Sequence, residues 1–298
     1  MEIKKYAAID IGSNAVRLLI SNIIIEKGKA PQFKKSALVR VPIRLGADAF
    51  VKGKISKENT QRMIDAMNAF QLLMKVHEVE KFKACATSAM REAKNGKKVA
   101  KKIFDNTSIS IDIIDGKKEA EIIFSTDLSE LIESNSSYLY VDVGGGSTEF
   151  TIFSDRKIIA SKSFKMGTVR LLNNDKTTNK LIFEEVENWV KQHTKNLKKI
   201  ALIGSGGNIN KVFKMSDRPL GKPLSAIYLK AHYQFLKQMS YNQRITELGL
   251  NPDRADVIIP ATKIYISAMK WSGAKLIYVP KIGLSDGIIK SLYLGKFD

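Results

Sequence analysis

The sequence has one cysteine, three histidines and no long apolar run, and each shortage excludes a class of protein. Cys85 alone cannot form an internal disulfide, so we expect a reducing, cytoplasmic location. No apolar stretch approaches the roughly 20 residues of a membrane span, and Asp10 interrupts the first one too early for a signal peptide. The histidines lack the spacing of metal ligands: His77, His193 and His232. Neither a membrane partner nor a histidine metal centre is therefore expected.

Basic residues, by contrast, are abundant. Lys and Arg total 49 against 30 Asp and Glu, which gives a net charge of +19. A field of this size attracts polyanions. Solvated lysine-rich helix faces, such as those of residues 94–102 and 191–199, explain the charge equally well. Because no zinc-finger spacing, RNA-recognition aromatic motif or helix-turn-helix pattern accompanies the charge, we expect no nucleic-acid partner.

Strand and helix patterns occur in the same order twice. Two strand patterns joined by a Gly-Ser-Asn turn open the first half, and a similar pair around "VGGGST" (143–148) opens the second. Helical patterns follow in each half. This order predicts an α/β protein of two similar domains with a packed crossover near residues 120–135. The predicted domains are residues 1–124 and 125–283.

Two helical segments carry more specific predictions. Four apolar residues at helical spacing predict a buried helix face that follows an N-cap at Ser56: Met63, Met67, Phe70 and Met74. Their sulfur atoms are expected to pack in the core and not to bind a metal. Residues 253–271 are also predicted to be helical.

A turn of small residues, preceded by an acidic residue, lies between two apolar runs in "IDIGSNAVRLLI" (9–20) and again in "VDVGGGSTEFTIF" (141–153). Backbone N–H groups of such a turn can approach an anion because no Cβ obstructs them. The neighbouring carboxylate would repel phosphate unless a hard cation lay between them, and Mg²⁺ combines one or two carboxylates with phosphate oxygens. With "GSGG" (204–207) as a third loop, we predict that one loop of each domain grips a phosphorylated ligand across an interdomain cleft.

Several residues around these turns are candidates for the chemistry. Asp142 and Glu149 flank the second turn and are the predicted metal ligands, with turn capping and a surface strand position as the alternative. Glu119 lies in the first turn of a predicted helix, where the helix dipole alone explains a carboxylate. The predicted phosphate-binding residues supply backbone N–H, hydroxyl, amide and guanidinium donors: Gly12, Ser13, Asn14, Arg17, Ser88, Arg91, Gly144, Gly145, Gly146, Ser147, Thr148, Gly206, Gly207 and Asn208.

These segments resemble, in order and over nearly the whole chain, the exopolyphosphatase/guanosine pentaphosphate phosphohydrolase (Ppx/GppA) family. The resemblance lies in the two turn segments together with "RLGADAF" (44–50), "ATSAMREAKN" (86–95), "DGKKEAEIIF" (115–124), "MGTVRL" (166–171), "GSGGNIN" (204–210) and "GLSDGII" (283–289). It implies two ribonuclease-H-like domains of the actin-like ATPase superfold, with the active site in the interdomain cleft. It also implies that a closing helix, about residues 284–298, packs back on the first domain.

The resemblance assigns roles to the acidic residues. It makes Glu119 the catalytic base, and it makes Asp142 and Glu149 the acidic positions associated with Mg²⁺, or alternatively Mn²⁺. The chain departs from the family motif at two positions, with Lys118 in place of the usual Glu and Glu121 in place of the usual Arg. We expect these departures to alter the pKa of the base and the substrate preference, and not to abolish activity.

The implied reaction is metal-dependent hydrolysis of the terminal phosphoanhydride of inorganic polyphosphate, releasing orthophosphate. A guanosine pentaphosphate 5′-phosphohydrolase is the first alternative. A kinase or ATPase of the same superfold and a catalytically silent polyanion-binding protein are the others. Larger family members carry a C-terminal helical extension that supports dimerisation; we expect this chain, which ends at Asp298, to lack it, and homodimer formation is left open.

Overall fold

Strands and helices alternate along the chain, which a computed structural model describes at residues 1–126, 136–155 and 157–297. The strands are β1 (Glu2–Ile11), β2 (Val16–Ile25), β3 (Gln32–Val41), β4 (Lys81–Ala86), β5 (Ile111–Ile113), β6 (Ser137–Val143), β7 (Thr148–Ser154), β8 (Lys157–Phe164), β9 (Ile200–Ser205), β10 (Leu224–Ser225) and β11 (Leu276–Tyr278). The helices are α1 (Leu45–Ala49), α2 (Lys57–Val76), α3 (Ser88–Glu92), α4 (Gly96–Thr107), α5 (Gly116–Phe124), α6 (Thr168–Asn173), α7 (Lys176–Thr194), α8 (Gly207–Met215), α9 (Ala226–Gln238), α10 (Tyr241–Thr246), α11 (Pro252–Ala255), α12 (Ile258–Ser272) and α13 (Leu284–Tyr293). In these described ranges no helix is both long and apolar enough to cross a membrane.

Residue contacts divide the chain into two units. Unit 1 is Met1–Thr126 with Leu284–Asp298, and unit 2 is Asp127–Gly283. The crossover predicted near residues 120–135 falls in part on residues 127–135, which lie outside the described residues. The predicted domain limits stay a prediction, because contacts within a unit do not show that it folds alone.

Unit 1 is built on a five-stranded sheet in the order β3-β2-β1-β4-β5. Strands β1, β2 and β3 are antiparallel neighbours, whereas β4 is parallel to β1 and β5 is parallel to β4. Helix α2 begins after Ser56, whose hydroxyl accepts a hydrogen bond from the Asn59 N–H at 3.1 Å. Its predicted apolar stripe is buried in the core, as expected: Met63, Met67, Phe70 and Met74.

Unit 2 repeats this arrangement in a six-stranded sheet with the order β10-β11-β9-β6-β7-β8. Strands β6, β7 and β8 are antiparallel neighbours, and β9 and β11 add parallel strands on the other side of β6. Only the short edge strand β10 has no counterpart among the described strands of unit 1. The duplication predicted from the order of patterns is therefore present as a shared sheet topology.

Helix α13 packs on α5 and β1 within unit 1. A glycine permits this approach, because a Cβ at Gly287 would overlap the backbone carbonyl of Ile122. The hydroxyls of Ser125 and Ser291 join the two helices at 3.1 Å. The last helix of the chain thus supports α5, which carries Glu119.

Two helices cover the range predicted to be helical, residues 253–271. Helix α11 ends at Ala255 and α12 begins at Ile258. Pro260 explains the break, because proline has no N–H and its ring would clash with the carbonyl four residues earlier, that of Asp256. Starting α12 at Ile258 places Pro260 in the first turn, where proline is tolerated.

Candidate active site

The small-residue turn of unit 1 follows β1 and is closed by a hydrogen bond from the Gly12 N–H to the Ala15 carbonyl at 3.2 Å. The next two carbonyls are held by the segment that leads into α1: Ser13 by the Gly46 N–H at 2.7 Å and Asn14 by the Arg44 N–H at 3.0 Å. In a trans peptide the C=O and the following N–H point in opposite directions. The N–H groups of Asn14 and Ala15 are therefore directed away from that segment.

The turn of unit 2 has the same construction. Its closing bond runs from the Gly144 N–H to the Ser147 carbonyl at 3.0 Å. The following carbonyls are held by the start of α6: Gly144 by Thr168 N–H (3.0 Å), Gly145 by Val169 N–H (2.8 Å) and Gly146 by Arg170 Nε (2.7 Å). Since the carbonyls are occupied on the α6 side, the N–H groups of residues 145–147 point to the opposite side. Successive N–H groups directed to one side form an anion-binding concavity.

A glycine lets α6 come this close to the turn. A Cβ at Gly167 would overlap the backbone of Gly145 and Gly146.

We expect Gly167→Ala to lower the free energy of unfolding by about 1–3 kcal/mol, the usual cost of overpacking, measured by urea denaturation. In unit 1 the segment that holds the turn also contains a glycine, Gly46, where a Cβ would meet the Phe50 ring at 2.8 Å and the Ser13 Cβ at 3.1 Å, both of them side-chain atoms. Gly46→Ala should therefore cost less, and an equal or larger loss for Gly46→Ala would contradict this explanation.

The two units differ in the residue that faces the acid before the turn. In unit 1 the residue opposite Asp10 is Arg17, and their side chains form an ion pair at 2.8 Å. In unit 2 the residue opposite Asp142 is Glu149, a second carboxylate. Like charges directly opposite each other on neighbouring strands are destabilising. The same structural position is thus neutralised by a guanidinium in unit 1 and doubled in negative charge in unit 2.

Two serine hydroxyls fix the carboxylate of Glu149. Its Oε1 accepts hydrogen bonds from Ser147 Oγ at 2.7 Å and from Ser163 Oγ at 2.9 Å, and the residue is only 3% exposed. A carboxylate has further lone pairs for a ligand. Within the described residues no three His, Cys, Asp or Glu side chains surround a common point, so a complete protein cage for a metal is absent there.

The third small-residue loop of unit 2 lies next to Asp142. Gly206 adopts φ +115°, and a Cβ there would lie 2.9 Å from the Val143 carbonyl and 3.4 Å from Asp142 Oδ1. Gly207 and Asn208 then open α8. The buried Tyr265 hydroxyl donates to the Ser205 carbonyl, and burial followed by the charge of Asp142 raises the pKa of this hydroxyl well above its ordinary value. Unit 2 therefore brings together the residues 144–148 turn, both acids and the 206–208 loop.

In unit 1 the candidate residues follow the carboxyl ends of three parallel strands. The 12–15 turn follows β1, Ser88 follows β4, and α5 follows β5. The hydroxyls of Ser13 and Ser88 lie 2.9 Å apart, which joins two of these ends. Arg91 Nη1 donates to the Ile114 carbonyl at 2.7 Å, which ties α3 to the third. Ligands of open α/β sheets bind at such carboxyl ends.

Glu119 is buried in unit 1, with 8% of the residue exposed. It lies in the first turn of α5, which Asp115 caps by accepting the Lys118 N–H at 2.7 Å. The residues that depart from the family motif, Lys118 and Glu121, approach each other at 4.0 Å on the exposed side. A solvent-exposed pair of this kind contributes little to stability. The two departures thus balance each other's charge away from the buried carboxyl group.

Cys85 is unsuited to nucleophilic chemistry. Its burial raises the pKa of the thiol to about 12, and the negative charges of Asp112, Asp10 and Glu119 act in the same direction against the opposing charge of Lys83. The thiol therefore stays protonated at neutral pH.

The sequence analysis did not identify four residues that support the two turns. Asp10 could have been found, because it occupies the place of Asp142 in the repeated pattern. Gly167 lies within "MGTVRL", a segment that resembles the family and gives no separate sign of the glycine's packing role. Ser163 and Tyr265 have no local sequence signal, since each reaches the site from a distant strand or helix.

Comparison with known proteins identifies the family. The model of the Ppx/GppA phosphatase family matches residues 30–295. The bifunctional 3-dehydroquinate synthase/phosphatase of Fusobacterium nucleatum is 31% identical over 92% of this chain, which spans only 44% of that protein. Exopolyphosphatase 2 of Mycobacterium tuberculosis is 26% identical over 98% of this chain and 99% of its own length. The crystal structure of an exopolyphosphatase from Cytophaga hutchinsonii shares the fold, with a TM-score of 0.86 at 23% identity over 98% of both chains. The predicted fold class is confirmed, and the chain belongs to the Ppx/GppA phosphatase family.

Proposed function

We propose that this protein hydrolyses the terminal phosphoanhydride bond of inorganic polyphosphate and releases orthophosphate. The observation that carries the proposal is the pair of opposed carboxylates, Asp142 and Glu149, beside a turn whose N–H groups point to one side. A hydrolase of phosphoanhydrides needs donors for phosphate oxygens and positive charge between those oxygens and the acids. Membership of a phosphatase family and the names of two relatives, both exopolyphosphatases, support the same substrate class.

The acidic pair fits a divalent cation. Both donors are carboxylates, and one oxygen of Glu149 is already oriented by two hydroxyls. Mg²⁺ is commonly held by one or two carboxylates, with water and substrate oxygens completing the shell, so a complete protein cage is not required. We propose Mg²⁺, with Mn²⁺ as the alternative. When bound, the cation would supply charge that offsets the negative charge of the phosphate oxygens.

The protein residues would have three roles. The N–H groups of residues 145–147, with those of the 12–15 turn, would hold oxygens of the terminal phosphoryl group. Glu119 would orient the attacking water and accept its proton as the new P–O bond forms. The bridging P–O bond then breaks, and its electron pair stays with the shortened polyphosphate.

Guanosine pentaphosphate is the alternative substrate, because its 5′ end carries the same kind of terminal phosphoanhydride and the family name joins Ppx with GppA. The residues proposed to act on the terminal phosphoryl group are not proposed to contact the remainder of the substrate. Preference between the two therefore depends on groups outside this set.

Phosphate release from three substrates tests the proposal. We expect the purified protein with Mg²⁺ to release orthophosphate from long-chain polyphosphate without any acceptor. The KM should rise with NaCl concentration, because salt screens the attraction between a chain of net charge +19 and a polyanion. Release from guanosine pentaphosphate alone would assign the alternative. A requirement for a nucleotide acceptor would indicate a kinase, and binding without turnover under any divalent metal would indicate a silent polyanion-binding protein.

A further inference from the structure

A basic cavity of about 360 Å³ lies in unit 2, apart from the acidic pair. Its described lining contains four cationic and no acidic side chains: Asn210, Lys211, Lys214, Gly249, Leu250, Asn251, Arg254 and Lys281. A cavity of this size is within the usual range for small-ligand sites. The positive charge of the lining favours an anionic ligand.

Lys211 is repelled by two other cations of this cavity. Burial, followed by the charges of Lys214 and Arg254, lowers the pKa of Lys211. Lys211 Nζ is held in place by donating to the Leu248 carbonyl at 3.0 Å. The buried Asn210 Oδ1 accepts no hydrogen bond from the described residues, and a carboxamide can offer a donor or an acceptor to a ligand. An anion would relieve the repulsion and gain hydrogen-bond donors.

The cavity is connected to the 206–208 loop by α8. Asn208, Lys211 and Lys214 follow one another at three-residue spacing, so each is a neighbour of the next on the surface of the helix. The distance from Asn208 to Lys214 along the axis is roughly 9 Å at 1.5 Å per residue. A phosphate chain whose end is held at the start of α8 would reach Lys214 only if it were several units long.

We propose that this cavity binds inner phosphates of a long polyphosphate chain whose terminal phosphoryl group is hydrolysed beside Asp142. The proposal rests on the proposed function and extends it, because it gives the protein a structural reason to prefer long chains. Lys214 is the residue to test, since it is exposed while Lys211 also supports the Leu248 loop. Lys230, an exposed lysine on α9 of the same unit, serves as the matched control for loss of one positive charge.

We expect Lys214→Ala to raise the KM for long-chain polyphosphate by about tenfold, the loss expected for one charge-assisted contact. Its KM for tripolyphosphate and its kcat for both substrates should stay unchanged, and Lys230→Ala should change neither. Equal effects on the two substrates, or an equal effect of Lys230→Ala, would overturn the proposal.

Direct binding separates this proposal from the proposed hydrolysis. Binding of long-chain polyphosphate at fixed NaCl concentration should be weakened about tenfold by Lys214→Ala even if the unsubstituted protein shows no turnover. In that case the hydrolase proposal fails and the cavity proposal stands. Unchanged binding in Lys214→Ala would overturn the cavity proposal whatever the activity.

Discussion

Glu119→Gln is expected to lower orthophosphate release from polyphosphate by about 10²–10⁴-fold, the usual contribution of a positioned general base. The substitution keeps the size of the side chain and removes its ability to take a proton from water. Because the proposed phosphate-binding groups are untouched, the binding of polyphosphate should survive. Single-turnover phosphate release and equilibrium binding measure the two quantities separately.

A matched control lies two residues further along the same helix. Glu121 is exposed, and Glu121→Gln removes the same charge from α5 without touching the buried carboxyl group. We expect this variant to keep its turnover and to lose almost no stability, since exposed ion pairs contribute little. If Glu119→Gln kept full turnover, or if Glu121→Gln lost as much, Glu119 would not be the base.

The sequence predicts the fold of each unit better than it predicts the connections between them. Apolar alternation and the repeated turn predict the order of strands and helices along each unit, because those signals are local and strong. The break within the helical range 253–271 depends on a single residue, Pro260. The apolar pattern of the whole range indicates a helix in spite of this proline. Short elements such as β10 and α10 depend on packing against neighbouring elements, and they are too short to show a hydrophobic period in the sequence.

The candidate site is divided in the same way. Repetition of the acidic turn predicts Asp142, Glu149 and the glycine N–H groups from local sequence. Arg17 and Glu149 occupy equivalent positions in the repeated segment, and the strand register shows that each lies directly opposite its aspartate. Supports from distant elements, such as the Tyr265 hydroxyl on the Ser205 carbonyl, need the tertiary structure. Glu119 has no distinguishing local chemistry, and only the family resemblance makes it a catalytic candidate.

Asp142→Asn is expected to lower kcat for polyphosphate by on the order of 10²-fold or more, since a metal's charge stabilisation is worth several kcal/mol and each 1.36 kcal/mol is tenfold in rate. The Mg²⁺ concentration needed for half-maximal activity should rise as well. Because the substitution also removes a like-charge repulsion with Glu149, the free energy of unfolding in metal-free buffer should fall less than it does for Asp10→Asn.

The equivalent change in unit 1 should lower the stability by more. Asp10→Asn removes the partner of Arg17 from a pair that is largely buried on the aspartate side, so the free energy of unfolding should fall by about 1–3 kcal/mol. Urea denaturation of both variants without metal compares the two positions directly, with activity playing no part. A fall in stability for Asp142→Asn equal to that for Asp10→Asn would mean that both acids are structural. Asp142 and Glu149 would then give no particular reason to expect a bound cation, because the charge of the second carboxylate would already be compensated within the protein.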